Sequence, residues 1–204
     1  MRSLGVMVYP NFELLDLFGP VEMFGWLANE FELTLVGPTA GPVRSNMGVA
    51  TVADRAMDEG TAFDILLVPG GWGRTIPVDT DPLLPWLKEA AHNAERVLTV
   101  CTGSALLALT GLLDGRRATT NKALFDWVVE KRPEVDWQAE ARWVCDGKYN
   151  TSSGVSAGMD MALGVIAELI GQDKAEEVAQ GCEYIWQRDP THDPFARTHR
   201  VQQP

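Results

Sequence analysis

Arg96-Val97-Leu98-Thr99-Val100-Cys101-Thr102-Gly103-Ser104 runs directly into the apolar stretch 105–113. Residues of strand character end on a cysteine, and small residues then open a helix. That order sets a thiol on a sharp strand-to-helix turn and pushes it out of the sheet, the cysteine counterpart of a nucleophile elbow. Gly103 lets the following helix lie close against the strand. A helix N-terminus carries the positive end of the macrodipole, which favours thiolate. Cys101 is therefore the candidate nucleophile. The competing reading is a buried cysteine that packs as a small hydrophobe.

The same alternation recurs on either side. Residues 4–9, 32–36 and 65–68 read as short buried strands, the last ending in Pro69-Gly70-Gly71-Trp72-Gly73. Residues 20–27, with Pro20 in the first turn, 83–94, 102–110, 122–131 and 156–170 read as helices. Residues 43–52 form a hairpin around Asn46-Met47-Gly48, and Asp146-Gly147 turns a second hairpin, with Lys148 and Tyr149 as solvated loop residues. Asp173 with Glu176 reads as a capping box for a last helix through Tyr184. Residues 187–204 read as a polar tail. Short apolar strands alternating with helices indicate a mostly parallel sheet covered on both faces, an α/β three-layer sandwich. Such sheets bind ligands beyond the carboxyl ends of their strands, where Cys101, Gly70-Gly71 and the segment around Asp16 would converge.

The chain has 204 residues, 46% apolar and 22% charged, the profile of one globular domain over residues 1–204. Its net charge of −11, with no basic cluster, argues against nucleic acid and anionic membrane surfaces as partners. No segment approaches the ~20 apolar residues that span a bilayer, and the first residues read as a strand rather than a signal peptide. Three cysteines without zinc spacing point to free thiols in a reducing cytoplasm and to no bound metal.

Gly70 and Gly71 are candidates for an oxyanion hole, with the Thr102 N–H as a further donor; a tight turn that needs glycines is the plainer reading. Asp16 lies among Leu14, Leu15, Leu17 and Phe18. A carboxyl there is costly unless paired or protonated, and a raised pKa suits a general acid that shares a proton with the thiol. A helix cap is the alternative, and Glu13 is the competing carboxylate. Only three histidines occur, His92 on a helix and His192 and His199 in the tail, and Thr rather than His follows Cys101. A Cys-His couple of protease or glutaminase type is therefore disfavoured. Ser152-Ser153-Gly154-Val155-Ser156 caps the long helix and faces the pocket, and Trp72 is the candidate pocket wall.

At these residues the chain resembles the ThiJ/PfpI superfamily, within it the isocyanide hydratases and the amidase-like domains of certain transcriptional regulators. The shared stretches are Leu15-Asp16-Leu17 with Gly19-Pro20, Val68-Pro69-Gly70-Gly71, Val100-Cys101-Thr102-Gly103-Ser104, Gly111-Leu112-Leu113-Asp114-Gly115, Arg117-Ala118-Thr119-Thr120 and Ser156-Ala157-Gly158-Met159-Asp160. The resemblance implies a flavodoxin-like fold, a homodimer, a small-molecule substrate and no cofactor. It implies that Cys101 is the nucleophile, that Asp16 hydrogen-bonds it, and that Thr102 and Gly70-Gly71 occupy the positions described above. The sequence departs from the family pattern at Asn121-Lys122, where His-Trp is typical, and at Ser152-Ser153, where glycines are frequent. Asn121, Ser153 and Gly154 are the remaining candidate pocket residues.

Three functions follow. One is a cofactor-independent hydratase that turns an isocyanide and water into an N-substituted formamide. A second is a glyoxalase or deglycase acting on 2-oxoaldehydes, whose superfamily branches usually carry Glu at the acid position. The third is a ligand-binding or redox-sensing protein without turnover, whose thiol oxidises.

Overall fold

A computed structural model describes residues 1–71 and 83–196. The chain runs β1 (Arg2–Met7), α1 (Leu14–Gly25), β2 (Phe31–Gly37), β3 (Gly41–Arg44), β4 (Ala50–Ala53), β5 (Arg55–Ala56), a 3-10 turn (Met57–Glu59) and β6 (Ile65–Val68). It continues through α2 (Leu83–Asn93), β7 (Arg96–Val100), α3 (Gly103–Leu109), β8 (Arg117–Ala118), α4 (Phe125–Lys131), β9 (Asp136–Trp137), β10 (Trp143–Asp146), β11 (Tyr149–Ser152), α5 (Ala157–Ile170) and α6 (Gln172–Gly181). Among the described residues, seven strands make one sheet in the order β10-β11-β7-β6-β1-β2-β5, parallel except for the β10–β11 pair. The β3–β4 hairpin and the β8–β9 pair stand outside it. No helix among the described residues is long and apolar enough to cross a membrane.

The central strands are buried along their length: Leu66, Leu67, Val97, Leu98 and Val100 are all fully inaccessible. A strand covered on both faces needs a continuous apolar run, as 65–68 and 97–100 supply. The chain leaves β1 toward β2 on one side and returns to β6 on the other. Right-handed crossovers then put α1 on one face and α2 on the opposite one. This is the flavodoxin-like doubly wound order, and its switch point lies between β1 and β6. α1 crosses α5 where both are small: a Cβ on Gly19 would sit 2.9 Å from Met159, and one on Gly158 would sit 3.2 Å from Pro20.

Several expectations are corrected. α1 begins at Leu14, so Pro20 lies inside the helix rather than in its first turn. The apolar face Leu17, Pro20, Met23 and Phe24 already repeats at helical spacing through the proline, and packing outweighs the one hydrogen bond that Pro20 forgoes. α4 begins three residues late, because Lys122 is drawn into the interior and the Asn121 side-chain oxygen accepts the Leu124 N–H at 3.1 Å. The Asp173 capping box does not form: Gly171, at φ 110°, ends α5 and serves as N-cap of α6, leaving Asp173 inside the first turn. Lys148 is no solvated loop residue. Its ammonium donates to the carbonyls of Ala91, His92 and Ala94 at 2.7, 2.8 and 3.1 Å, closing the end of α2, while Tyr149 is buried. The two-residue strands β5 and β9 carry no pattern long enough to read. The tail is anchored as far as Ala196, with Asp193 fully buried.

Candidate active site

Cys101 follows β7 with φ 57°, a left-handed conformation that non-glycine residues rarely adopt. The surroundings hold it there. Its N–H faces the Ser152 and Ser153 carbonyls at 3.2 and 3.3 Å, and its own carbonyl accepts from the Ser104 and Thr120 hydroxyls at 2.9 and 3.0 Å. Strain persists where several contacts over-determine it. Gly103 makes the turn possible: a Cβ there would collide with the carbonyl oxygen of Val68 and stand 2.8 Å from that of Pro69.

Asp16, in the first turn of α1, is fully buried and reaches the same place. Its Oδ2 accepts the Gly70 N–H at 3.0 Å, and its carboxyl interacts with the Cys101 thiol. Among the described residues Oδ1 has no conventional partner. Burial, and then the charge of Glu13, push the Asp16 pKa well above the carboxylate range, against the bonds from Gly70 and Cys101. Glu13 itself accepts from the Asn46 amide at 2.5 Å. The thiol is 6% exposed, and its pKa is also pushed up, first by burial and then by the Asp16 charge; the Thr102 N–H and the Asn121 amide pull it down. Desolvation thus outweighs the helix terminus, which is a correction to the thiolate expected from the dipole alone. Two adjacent buried groups that each resist ionisation do not both ionise: once one has released its proton, its charge holds the proton on the other.

Gly70 and Gly71 are close-packed, but their N–H groups are not the open donors of an oxyanion hole. The Gly70 N–H serves Asp16, and the Gly71 N–H donates to Thr102 Oγ1 at 3.0 Å, while that hydroxyl donates to the Gly71 carbonyl at 2.8 Å. A Cβ on Gly70 would lie 2.7 Å from Asp16 Oδ2, from Thr102 N and from Thr102 Oγ1. The loop holds the acid and clamps Thr102.

Asn121 donates its side-chain amide to Cys101 Sγ at 3.1 Å. Asn121, Ser153 and Gly154 line a cavity of about 320 Å³. A Cβ on Gly154 would overlap the Asn121 amide and lie 3.2 Å from Sγ, so the cavity meets the thiol across a single glycine. Of these serines, Ser156 occupies the N-cap of α5, though without a side-chain bond to the helix. Trp72 lies outside the described residues. Lys122 is buried; its Nζ donates to Thr119 Oγ1 at 2.8 Å and to the Ala141 carbonyl at 2.6 Å, and burial lowers its pKa to about 8. Tyr9 escaped the sequence reading. Its buried hydroxyl donates to the Pro69 carbonyl at 3.1 Å, the other end of the peptide whose N–H holds Asp16. The signal available was its place at the end of the first strand. Among the described residues no cluster of side chains suits a metal ion.

Comparison with known proteins places this geometry. A model of the DJ-1/PfpI family matches residues 2–168. An isonitrile hydratase of Pseudomonas putida is 33% identical over 184 residues, covering 89% of this chain and 78% of that one. The HTH-type transcriptional regulator CdhR of Pseudomonas aeruginosa is 30% identical over 85% of this chain, which spans 52% of the regulator. Among solved structures, a ThiJ/PfpI family protein of Pseudomonas syringae superposes with a TM-score of 0.81 at 31% identity, over 90% of this chain and 75% of the other.

Proposed function

The chain belongs to the DJ-1/PfpI family, and from that premise we propose that it is a cysteine-dependent hydratase that converts an isocyanide, R–N≡C, and water into the N-substituted formamide. The observation that carries the reading is the fully buried Asp16 carboxyl, held by the Gly70 N–H and close enough to Cys101 for its charge to raise the pKa of the thiol. Both described histidines, His92 and His192, are exposed. The similarity to an isonitrile hydratase supports it, isonitrile and isocyanide being one functional group.

In this reading the reactive form is the one in which a single proton has left the pair, Cys101 thiolate beside the protonated acid. Sulfur attacks the terminal isocyanide carbon, whose lone pair takes the Asp16 proton to give the thioimidate R–N=CH–S. Water then adds to that carbon and returns a proton to Asp16. The C–S bond breaks with its electron pair going to sulfur, and the released R–N=CH–OH tautomerises to the formamide. Addition to an isocyanide develops no oxyanion, so it needs no free donors on the Gly70-Gly71 loop. Addition to the carbonyl of a 2-oxoaldehyde does develop one, and here both glycine N–H groups are already engaged, which favours the hydratase over the glyoxalase reading. The Thr102 N–H and Asn121 amide remain to stabilise thiolate.

We also propose a homodimer in which the α1 face bearing the exposed Leu15 and Phe18 is covered. The decisive assay is formamide production from a simple alkyl or aryl isocyanide. Wild-type turnover and a loss of at least 10³-fold in Cys101→Ala are expected. Full turnover by that variant, or none by wild type, sinks the hydratase. Consumption of methylglyoxal in place of isocyanide would establish the competing carbonyl chemistry.

A further inference from the structure

The carboxy-terminal segment closes back over the site. Asp160, fully buried on α5, pairs with Arg142, whose Nε donates to Oδ2 at 2.7 Å. Its other oxygen accepts the Tyr184 hydroxyl at 3.0 Å and the Gln187 N–H at 2.9 Å, and its backbone carbonyl accepts the Trp186 indole N–H at 3.1 Å. Further along, the Arg142 N–H donates to the Pro190 carbonyl at 2.8 Å, and the Asp193 N–H to the Glu140 carbonyl at 2.7 Å. Asp193 Oδ1 then stands 3.8 Å from Arg142 Nη1. The segment is thus tied at both ends to one buried ion pair. Two residues past the second tie, Phe195 is delivered, half-exposed, to the wall of the cavity that meets Cys101.

The other walls define what that ring faces. Leu15, Ala123 and Val155 are apolar, and among the described residues none that lines the cavity is a carboxylate. Among the described residues the one cation in the wall is Lys122, which spends its ammonium on Thr119 and Ala141. About 320 Å³ lies at the small end of ligand pockets, room for one ring rather than an extended molecule. Resting on the hydratase reading, we propose that this strap is the specificity element of the site: Phe195 packs on the substituent R, and the preferred substrates are neutral isocyanides carrying a compact apolar ring. A charged substituent would lose its hydration against described walls that offer no free counter-ion, and a methyl group would leave the ring uncovered.

The test compares benzyl isocyanide, methyl isocyanide and isocyanoacetate on the full chain, as wild type, Phe195→Ala and Phe195→Leu. The readout is the benzyl-to-methyl ratio of kcat/KM. Wild type is expected to favour benzyl at least tenfold and to reject isocyanoacetate; Phe195→Ala is expected to lose most of the ratio through KM, and Phe195→Leu to recover part of it. A second readout is independent of turnover: the rate at which Cys101 is alkylated by N-benzylmaleimide relative to N-methylmaleimide, followed on the Cys101 peptide by mass spectrometry. Should no isocyanide turn over while the maleimide preference still depends on Phe195, the hydratase reading fails and the strap's role stands. A ratio indifferent to Phe195 in both assays, or a Cys101 that the benzyl reagent never labels, overturns the proposal.

Discussion

Asp16 is buried where its carboxyl prefers to keep its proton, and this has a consequence for stability with a definite sign. Burial raises its pKa in the folded chain, whereas the unfolded carboxyl releases its proton near pH 4. Between those values the folded state binds more protons than the unfolded one, so stability attributable to Asp16 falls as pH rises through that window. Asp16→Asn keeps an oxygen for the Gly70 N–H and removes the dependence. Its melting temperature is expected to match wild type near pH 4 and to exceed it increasingly toward pH 7, with formamide production abolished; a constant offset between the two unfolding profiles would contradict this. Tyr9 acts on the same carboxyl through a peptide. Its O–H polarises the Pro69 carbonyl and so strengthens the Gly70 N–H as a donor to Asp16. Tyr9→Phe is expected to move the pH–rate profile upward by roughly half a unit, about 0.7 kcal/mol of hydrogen bonding; an unmoved profile would leave Tyr9 a packing residue. Cys101 and Asp16 were legible because each breaks its local context, a thiol ending an apolar strand and a carboxyl among leucines. The Asn121 contact with sulfur was not, since it depends on how the turn after β8 folds back over the elbow. Nor was the use of the two glycine amides, because a glycine in sequence announces space and says nothing of where its N–H points.

At the scale of elements, the strands that hold the site were the most readable part. β6 and β7 coincide with their apolar runs, since a strand buried on both faces has no other composition open to it. Helix starts were less readable wherever packing overrode a local signal, as at Pro20 in α1 and Asp173 in α6. Lys148 shows the same limit from another side. A lysine after Asp-Gly reads as solvated, yet here it crosses to α2 and satisfies three carbonyls that the helix leaves open. Burial lowers its pKa, with the Arg116 charge a smaller contribution. Lys148→Ala is expected to cost about 1 kcal/mol, seen as a fall of roughly 2–4 °C in melting temperature for a chain of this size. No change on thermal denaturation would mean that water replaces the ammonium at no cost.

For the whole molecule, the proposed assembly turns on one exposed face of α1. Phe18 is 38% exposed beside Leu15, more apolar surface than one helix turn needs to show to water. Phe18→Glu is expected to convert a dimer to a monomer by light scattering, and a wild-type chain already monomeric at high micromolar concentration would refute the assembly. The polar composition of the last residues hid their docking, because the groups that anchor them, Arg142 and Asp160, sit on other elements and are themselves buried. That anchoring also fixes a sequence of events. The hub at Asp160 is built from α5 and from Arg142, the residue before β10, so the strap has nothing to grip until the sheet and the long helix have come together. The segment carrying Phe195 follows every strand of the sheet in the chain. The wall beside the Cys101 thiol is therefore secondary architecture: it stands only on a frame that other elements have already put together.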